Sequence, residues 1–419
     1  MAFSVGDTMA VEELEMAIIE SRQNLVNTSL FNYVTISRSE SAEIGDRPHI
    51  DIEISVEERW YLWPLIDIKL EDRNLSSWLK KMDFDRITYT TGAIYSNMFG
   101  LSHKLSVKAM LGYERGLNLS YTKIPVNPEK TAYLGFETFY MSYKNLDYIT
   151  ENNKPRHLSG GKVKEKTYGG AASVTFRPHI SARHKITAQY DVSKIDDSVK
   201  LMNPNYWGVN GLTSRTFGIK YDYSDEHRDY IFYPVRGYYI GATLNLSESN
   251  EFDFLYGNIV IDLQYYKELG DRWFWGSTAK ISTSAKTHSS YLHDRALGYD
   301  NFNITGYELY VVDGQHLITW GNSLKFTLLP QKIVHLNFIR NWNKLNKPHF
   351  TIYGKWIFDT GYVINSKKSE TNTYSNNLIF GTGLGIDIVT YYDIVFNLGY
   401  ALNNKGKTNF FFSFKAPIF

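Results

Sequence analysis

"GYYIGATLNLS" runs from Gly237 to Ser247 and alternates without a break. Tyr238, Ile240, Ala242, Leu244 and Leu246 fall on one side of an extended chain, and Tyr239, Gly241, Thr243, Asn245 and Ser247 on the other. A period of two with one apolar and one polar side is the pattern of a β-strand. A soluble sheet buries its apolar side against a second layer. A membrane sheet turns that side to lipid and keeps the polar side for its interior. The alternation returns in "LYGNIVIDLQYY" (255–266) and "YYDIVFNLGYAL" (391–402), which place Asp262, Gln264, Asp393 and Asn397 on the polar side.

Composition bounds the choice. The chain has 419 residues, 16% of them aromatic, with 32 Tyr, 24 Phe and 9 Trp beside a mean hydropathy of −0.33. No window approaches the roughly 20 apolar residues of a membrane helix. Aromatic-rich chains that are polar on average fit a membrane β-barrel, and composition alone also admits a soluble sandwich or propeller. Near-equal numbers of basic (45) and acidic (44) residues argue against a general grip on nucleic acid. The chain has no cysteine, which excludes disulfides, zinc–thiolate sites and cysteine nucleophiles.

Period two predicts sixteen strands from residue 62 to the end, many of ten residues or more. Soluble strands average about five to six residues, whereas tilted membrane strands need about ten. Long connections (73–83, 148–165, 195–212, 285–315 and 364–376) follow odd-numbered strands, and tight turns such as "FGLS" and "ELGD" follow even-numbered ones. Short turns on one side and long loops on the other are how outer-membrane barrels are built. Connections 225–236 and 330–348 break this rule and need a reason. Nine of the eleven prolines fall in or beside turns; Pro64 in the first strand and Pro417 in the last do not. Proline cannot donate to a ladder, so the seam between those strands is expected to be short of hydrogen bonds.

Residues 1–59 differ. A helix is expected over 9–31, with Val11, Leu14, Ile18 and Leu25 at spacings of three and four and Asp7 as N-cap. Two strands follow, the second alternating Ile50, Ile52, Ile54 and Val56 with acids. Met1 is not followed by the basic start and apolar run of a secretory signal.

Chemistry-bearing motifs are absent: no GxSxG, HExxH or phosphate loop occurs, and the histidines are scattered. "GTGLGI" (381–386) lies inside an alternating strand, so small lumen-facing residues explain it better than a nucleotide loop. "RNWNKLNK" (340–347) suits lipid head groups at a rim. No catalytic residue, cofactor, metal or enzyme activity is expected.

Several segments resemble the BamA/TamA family of bacterial outer membranes, in Bacteroidota-like form. "FSVGD" with its helix, "LVNTSLFNYVTIS" and "HIDIEISVEER" resemble the last four-fifths of a POTRA (polypeptide-transport-associated) domain. "YDYSDEHRDYIFYPVRGYYIG" resembles the family's strand–turn–strand through Arg228, Asp229, Pro234 and Gly237. "LGYDNFNITGYELYVVDG" is similar to its long loop after the eleventh strand, and "WIFDTGYV" to its Phe-x-Asp-x-Gly on the thirteenth strand through Phe358, Asp359 and Gly361. The terminal Phe419 is similar to its assembly signal.

The resemblance implies a mainly β fold: a sixteen-stranded antiparallel transmembrane β-barrel over 60–419, with loop 285–315 directed into the lumen. A partial α+β POTRA domain over 1–59 would precede it in the periplasm, lacking its first strand and helix, as in an N-terminally truncated chain. Ile304, Thr305, Gly306, Tyr307 and Glu308 would form the lumen-loop motif, facing Phe358, Asp359 and Gly361. Pro64, Pro417 and Phe419 would mark the seam. The family usually carries Arg where this chain has Thr305, and its twelfth strand has an acid that "LITWGNSLKF" lacks. Packing by Tyr307 is therefore expected to hold the loop, and Lys325 or Lys355 to partner Asp359. The implied function is insertion or translocation of proteins by templating client strands at a weak seam. Unfolded barrel proteins would be the clients, with periplasmic or lipoprotein accessory subunits as partners in an outer-membrane bilayer. Alternatives are a secretion barrel exporting a partner protein and a plain porin.

Overall fold

The computed structural model describes residues 3–41, 49–70, 82, 84, 87–250, 253–299, 302–334, 347–366, 371–390 and 393–415. Helix α1 (Val11–Asn27) precedes a two-stranded antiparallel sheet of β1 (Phe31–Ser41) and β2 (His49–Glu58). The N-cap is Ala10, not Asp7: the Glu13 carboxylate reaches back to the Ala10 amide at 3.2 Å, while Asp7 closes a turn by accepting from the Ser4 amide at 2.7 Å. An acid in the first helical turn satisfies a free amide and complements the helix dipole. Leu14 and Ser21 are buried, but Ile54 and Val56 on β2 stay exposed, so the helix covers only part of the apolar side.

All sixteen expected strands are present and form one antiparallel sheet. Its first half holds β3 (Leu62–Leu70), β4 (Ile87–Met98), β5 (His103–Gly112), β6 (Glu114–Pro125) and β7 (Ala132–Tyr143). A separate hairpin, β8 (Leu146–Glu151) with β9 (Lys154–Leu158), fills part of the next connection. The sheet continues with β10 (Glu165–Phe176) and β11 (Ala182–Ile195), then, after α2 (Asp197–Met202), with β12 (Thr213–Glu226), β13 (Gly237–Ser249), β14 (Phe254–Gly270) and β15 (Trp273–Lys286). The long loop carries a small ladder of β16 (Arg295–Leu297) and β17 (Val312–Asp313). β18 (His316–Ile333), β19 (His349–Ile364), β20 (Leu378–Thr390), β21 (Ile394–Asn403) and β22 (Thr408–Lys415) complete the sheet.

Each sheet strand pairs with its neighbour in order. Among the described residues no ladder joins β3 to β22. Pro64 lies within β3 opposite Ala93, whereas Pro417 and Phe419 lie outside the described residues. β18 runs through Pro330 to residue 333, four residues past the expected end, and its register shifts near Leu329 accommodate the proline. Residues 340–346 of the expected rim segment also fall outside the description.

The alternation sorts as expected. Tyr238, Ile240, Leu244 and Leu246 are exposed on the outer side. Imidazole and phenol groups meet outside too, as at His184 and Tyr221 (2.8 Å) near the short-turn end, where an aromatic girdle belongs. The sheet curls: the connection after β12 touches β20 and β21 from across the interior.

Candidate functional site

The described residues of loop 287–315 fold back against the inner side of β19–β22. Inward and outward residues alternate along β20, so Leu378, Phe380, Leu384 and Ile386 are exposed while Gly381 and Gly383 face inward and are buried. Those glycines make the seat. A Cβ on Gly381 would lie 1.9 Å from the Thr305 carbonyl oxygen, and one on Gly361 would lie 2.3 Å from Ile304 Cδ1. Gly306 turns the loop there with φ +83°, a conformation glycine adopts without strain.

Polar contacts fix the tripeptide. The Thr305 amide and hydroxyl both donate to Asp359 Oδ2, at 3.0 and 2.5 Å. Asn403 Nδ2 donates to the Gly306 carbonyl at 2.7 Å. The Tyr307 hydroxyl donates to Asn404. Glu308 accepts from the Gly306 amide at 3.0 Å and from Asn409 on β22. Burial pushes the Glu308 carboxyl above its ordinary range, against the pull of those donors. Ile304 and Tyr307 are each 1% exposed and join Leu297, Val312, Val363 and Ile379 in one apolar cluster. The Tyr307, Tyr310 and Tyr374 rings meet edge to face with centroids 5.3 to 6.0 Å apart, a favoured aromatic geometry.

Packing by Tyr307 is thus part of the answer; Lys355 is within electrostatic reach of Asp359 but, among the described residues, no lysine ion pair with it is formed. Lys355 instead pairs with Asp387 at 2.8 Å, and Lys325 donates to the Pro234 carbonyl at 3.1 Å while lying over the Tyr233 ring. A threonine supplies what Asp359 needs because two neutral donors satisfy a buried carboxylate without a second charge. Phe358, one residue before Asp359, points to the other side and stands near Phe380.

Sequence reasoning missed the node above this loop. Asn153, at the tip of the β8–β9 hairpin, receives the Val311 amide on its carbonyl (2.9 Å) and donates from its own amide to the Thr371 carbonyl (2.9 Å). Its side chain donates to Thr373 Oγ1 (2.8 Å) and accepts from the Tyr374 amide (3.0 Å). Asn152 (φ +52°) and Asn153 (φ +56°) make a tight hairpin turn of a kind asparagine tolerates. His293, in a one-turn helix of the same loop, bonds Ser290 Oγ at 2.8 Å. Burial, and then the Lys286 ammonium, lower its pKa to about 4.

A second constellation explains connection 225–236. Gly237 ends it with φ +93°, where a Cβ would lie 2.0 Å from the His227 carbonyl oxygen. Asp229 Oδ1 accepts from the Tyr230, Val235 and Arg236 amides at 2.9 to 3.1 Å and so builds the turn. Arg228 pairs with Glu226 and donates to Gln264 at 2.9 Å. The turn then reaches across the interior: Tyr233 donates to Asp387 at 2.8 Å and Tyr230 to Asp393. Asp393 also pairs with Arg59, which follows β2, at 2.5 and 3.1 Å. On the helix side, Asn27 accepts from the Ile231 amide at 3.3 Å. Pro234 places its carbonyl on Lys325.

The Omp85 superfamily domain matches residues 97–315, just over half of the chain. The chain belongs to the Omp85 superfamily. This Omp85 barrel is similar in structure to BamA from Haemophilus ducreyi lacking POTRA domains 1–3, with a TM-score of 0.55 and 13% identity over 98% of this chain and 79% of that one. It is also similar to CdiB from Escherichia coli, with a TM-score of 0.54 and 11% identity over 99% of this chain and 72% of that one. At these identities the likeness is one of fold. No curated protein matches the chain in sequence. Among the described residues no cluster of metal-binding side chains occurs.

Proposed function

We propose that this Omp85 barrel inserts β-barrel proteins into the outer membrane, as the BamA/TamA family does, with residues 1–59 acting as part of a periplasmic POTRA domain. The observation that carries this reading is Thr305-Gly306-Tyr307 seated inside the barrel against Asp359 and the inward glycines of β20. A porin needs no such plug. The missing ladder between β3 and β22 among the described residues supports a seam at which a client strand pairs. An unpaired edge in lipid leaves backbone groups unsatisfied, and a client strand satisfies them. Periplasmic or lipoprotein subunits would dock on residues 1–59, and no residue is assigned to catalysis or to a cofactor. Depleting the protein and quantifying the outer-membrane proteome tests this: many barrel proteins should fall together. Loss of one surface protein alone would instead identify an export barrel, a second reading favoured by the inward-facing cations described next. An unchanged proteome would refute both.

A further inference from the structure

The interior is electrically lopsided. Val107 and Leu111 of β5 are exposed on the outer side, so Lys104 and Lys108 project inward. Ile186 and Tyr190 of β11 are likewise outside, so Arg183 and Lys185 project inward. Lys123 sits at a register shift of β6 and is within electrostatic reach of Lys104, Arg177 and Arg183. Among the described residues none of these cations is in an ion pair. Two acids stand near them: Glu137 accepts from Asn118 at 2.7 Å, and Asp222, opposite Lys185 in the ladder, pairs with Lys220 at 3.0 Å. The opposite wall is different. There Asp387 is held by Lys355 and Tyr233, and Asp393 by Arg59 and Tyr230. At the short-turn end the cations of β5, β6, β10 and β11 outnumber the lumenal acids beside them, and those acids are already bonded to other groups.

Lys104, Lys123, Arg183 and Lys185 share one level, with Lys108 four residues further along β5. Lys104 lies opposite Thr122, the neighbour of Lys123, and a Cβ on Gly135 would lie within 3.3 Å of both Thr122 and Ser173. Lys185 lies opposite Thr175, two residues before Arg177. From β5 across β6, β7 and β10 to β11 is four strand spacings, about 19 Å at ~4.8 Å each. This matches an extended peptide of about six residues at ~3.3 Å per residue. A small anion could meet only one or two of the cations. A cluster of like charges in a confined lumen attracts its complement. We infer that the inner wall of β5–β11, at its short-turn end, seats an acidic stretch of extended polypeptide. This rests on the reading that the barrel handles polypeptides.

The test uses the full chain in lipid nanodiscs and a fluorescein-labelled oligoglutamate of about twelve residues, followed by anisotropy. Saturable binding that salt weakens is expected, with oligolysine and oligoglutamine not binding. K104Q/K123Q/R183Q should lower affinity by at least about tenfold, and K162Q/K166Q should leave it unchanged. Heat-modifiable gel migration checks that each barrel is folded. Equal affinity in the triple variant overturns the inference. So does full competition by millimolar inorganic phosphate, which would make this a small-anion site. If oligoglutamate binds as expected while depletion leaves the outer-membrane proteome unchanged, the insertion reading fails and the acidic seat stands. If depletion acts as expected and oligoglutamate does not bind, only the seat fails.

Discussion

Thr305→Val keeps the shape of the side chain and removes its hydroxyl. In the folded loop that hydroxyl lies 2.5 Å from Asp359 Oδ2, beside the backbone amide at 3.0 Å. Deleting a neutral donor to a buried carboxylate costs about 1.5–3 kcal/mol. Taking about 2 kcal/mol, the loop-opening equilibrium should rise about thirty-fold, since each 1.36 kcal/mol is a factor of ten. Thr305→Ser retains the donor and should stay within a few-fold of wild type. Gly381→Ala attacks the same contact differently: its methyl would sit 1.9 Å from the Thr305 backbone carbonyl oxygen, so the loop must leave its seat. Amide hydrogen exchange across 302–310 in detergent micelles reads all three variants. The expected order is Ser close to wild type, Val faster, and Ala at 381 fastest. If Val exchanges like Ser, the hydroxyl does not hold the loop, and apolar packing around Tyr307 alone must seat it.

Other outcomes follow from the same geometry. Breaking the buried Arg59–Asp393 pair by Arg59→Gln strands a carboxylate and should destabilise the 227–236 turn by roughly 3–5 kcal/mol; adding Asp393→Asn should recover much of that loss, read as protease cleavage within 227–236. Asp229→Ala removes the acceptor of three backbone amides and should raise that cleavage even with Arg59 intact, with Asn a partial substitute. His293 is held neutral by burial, with its pKa lowered from 6.5 to about 4. The unfolded loop therefore binds more protons between those values, and stability present above pH ~6.5 is lost as pH falls toward ~4, up to about 3 kcal/mol. Protection factors in 287–299, taken relative to intrinsic amide exchange at each pH, should fall over that window and lose their pH dependence in His293→Phe; a flat wild-type protection profile contradicts this account of the histidine.

The strands were legible because alternation is local. Each strand carries its own two faces, and all sixteen can be found without knowing their partners. The inward position of the 302–316 segment was legible from its apolar content and its resemblance to a lumen loop. What seats the loop was not. Thr305 looks like a lost arginine until its two donors are seen on one oxygen of Asp359. Gly381 and Gly383 read as small inward residues, but only the folded chain shows a carbonyl pressed on one of them. The 225–236 connection stood out as too long for its side of the barrel, yet Tyr230 and Tyr233 find their acids more than 150 positions away. No local signal reports such pairs. The helix cap was misread for a simpler reason: Asp7 has the right residue type, but its carboxylate closes a turn one step earlier.

The two closures lean on the same part of the sheet, and that has a mechanical consequence. The loop takes its bonds from β19 (Asp359), β21 (Asn403) and β22 (Asn409), while the 225–236 connection takes its bonds from β20 (Asp387) and from Asp393, just before β21. Among the described residues β22, like β3, has no partner on its far side. If β22 swings away from β21 to admit a client, Asn409 leaves Glu308 first, while Thr305 keeps Asp359. Asn409→Ala should imitate that first step. Exchange should rise at Gly306, whose amide is held by Glu308, and much less at Thr305, whose acceptor is on β19. A uniform rise along the loop would mean that it opens as one body, and the seam and the plug would then have to move together.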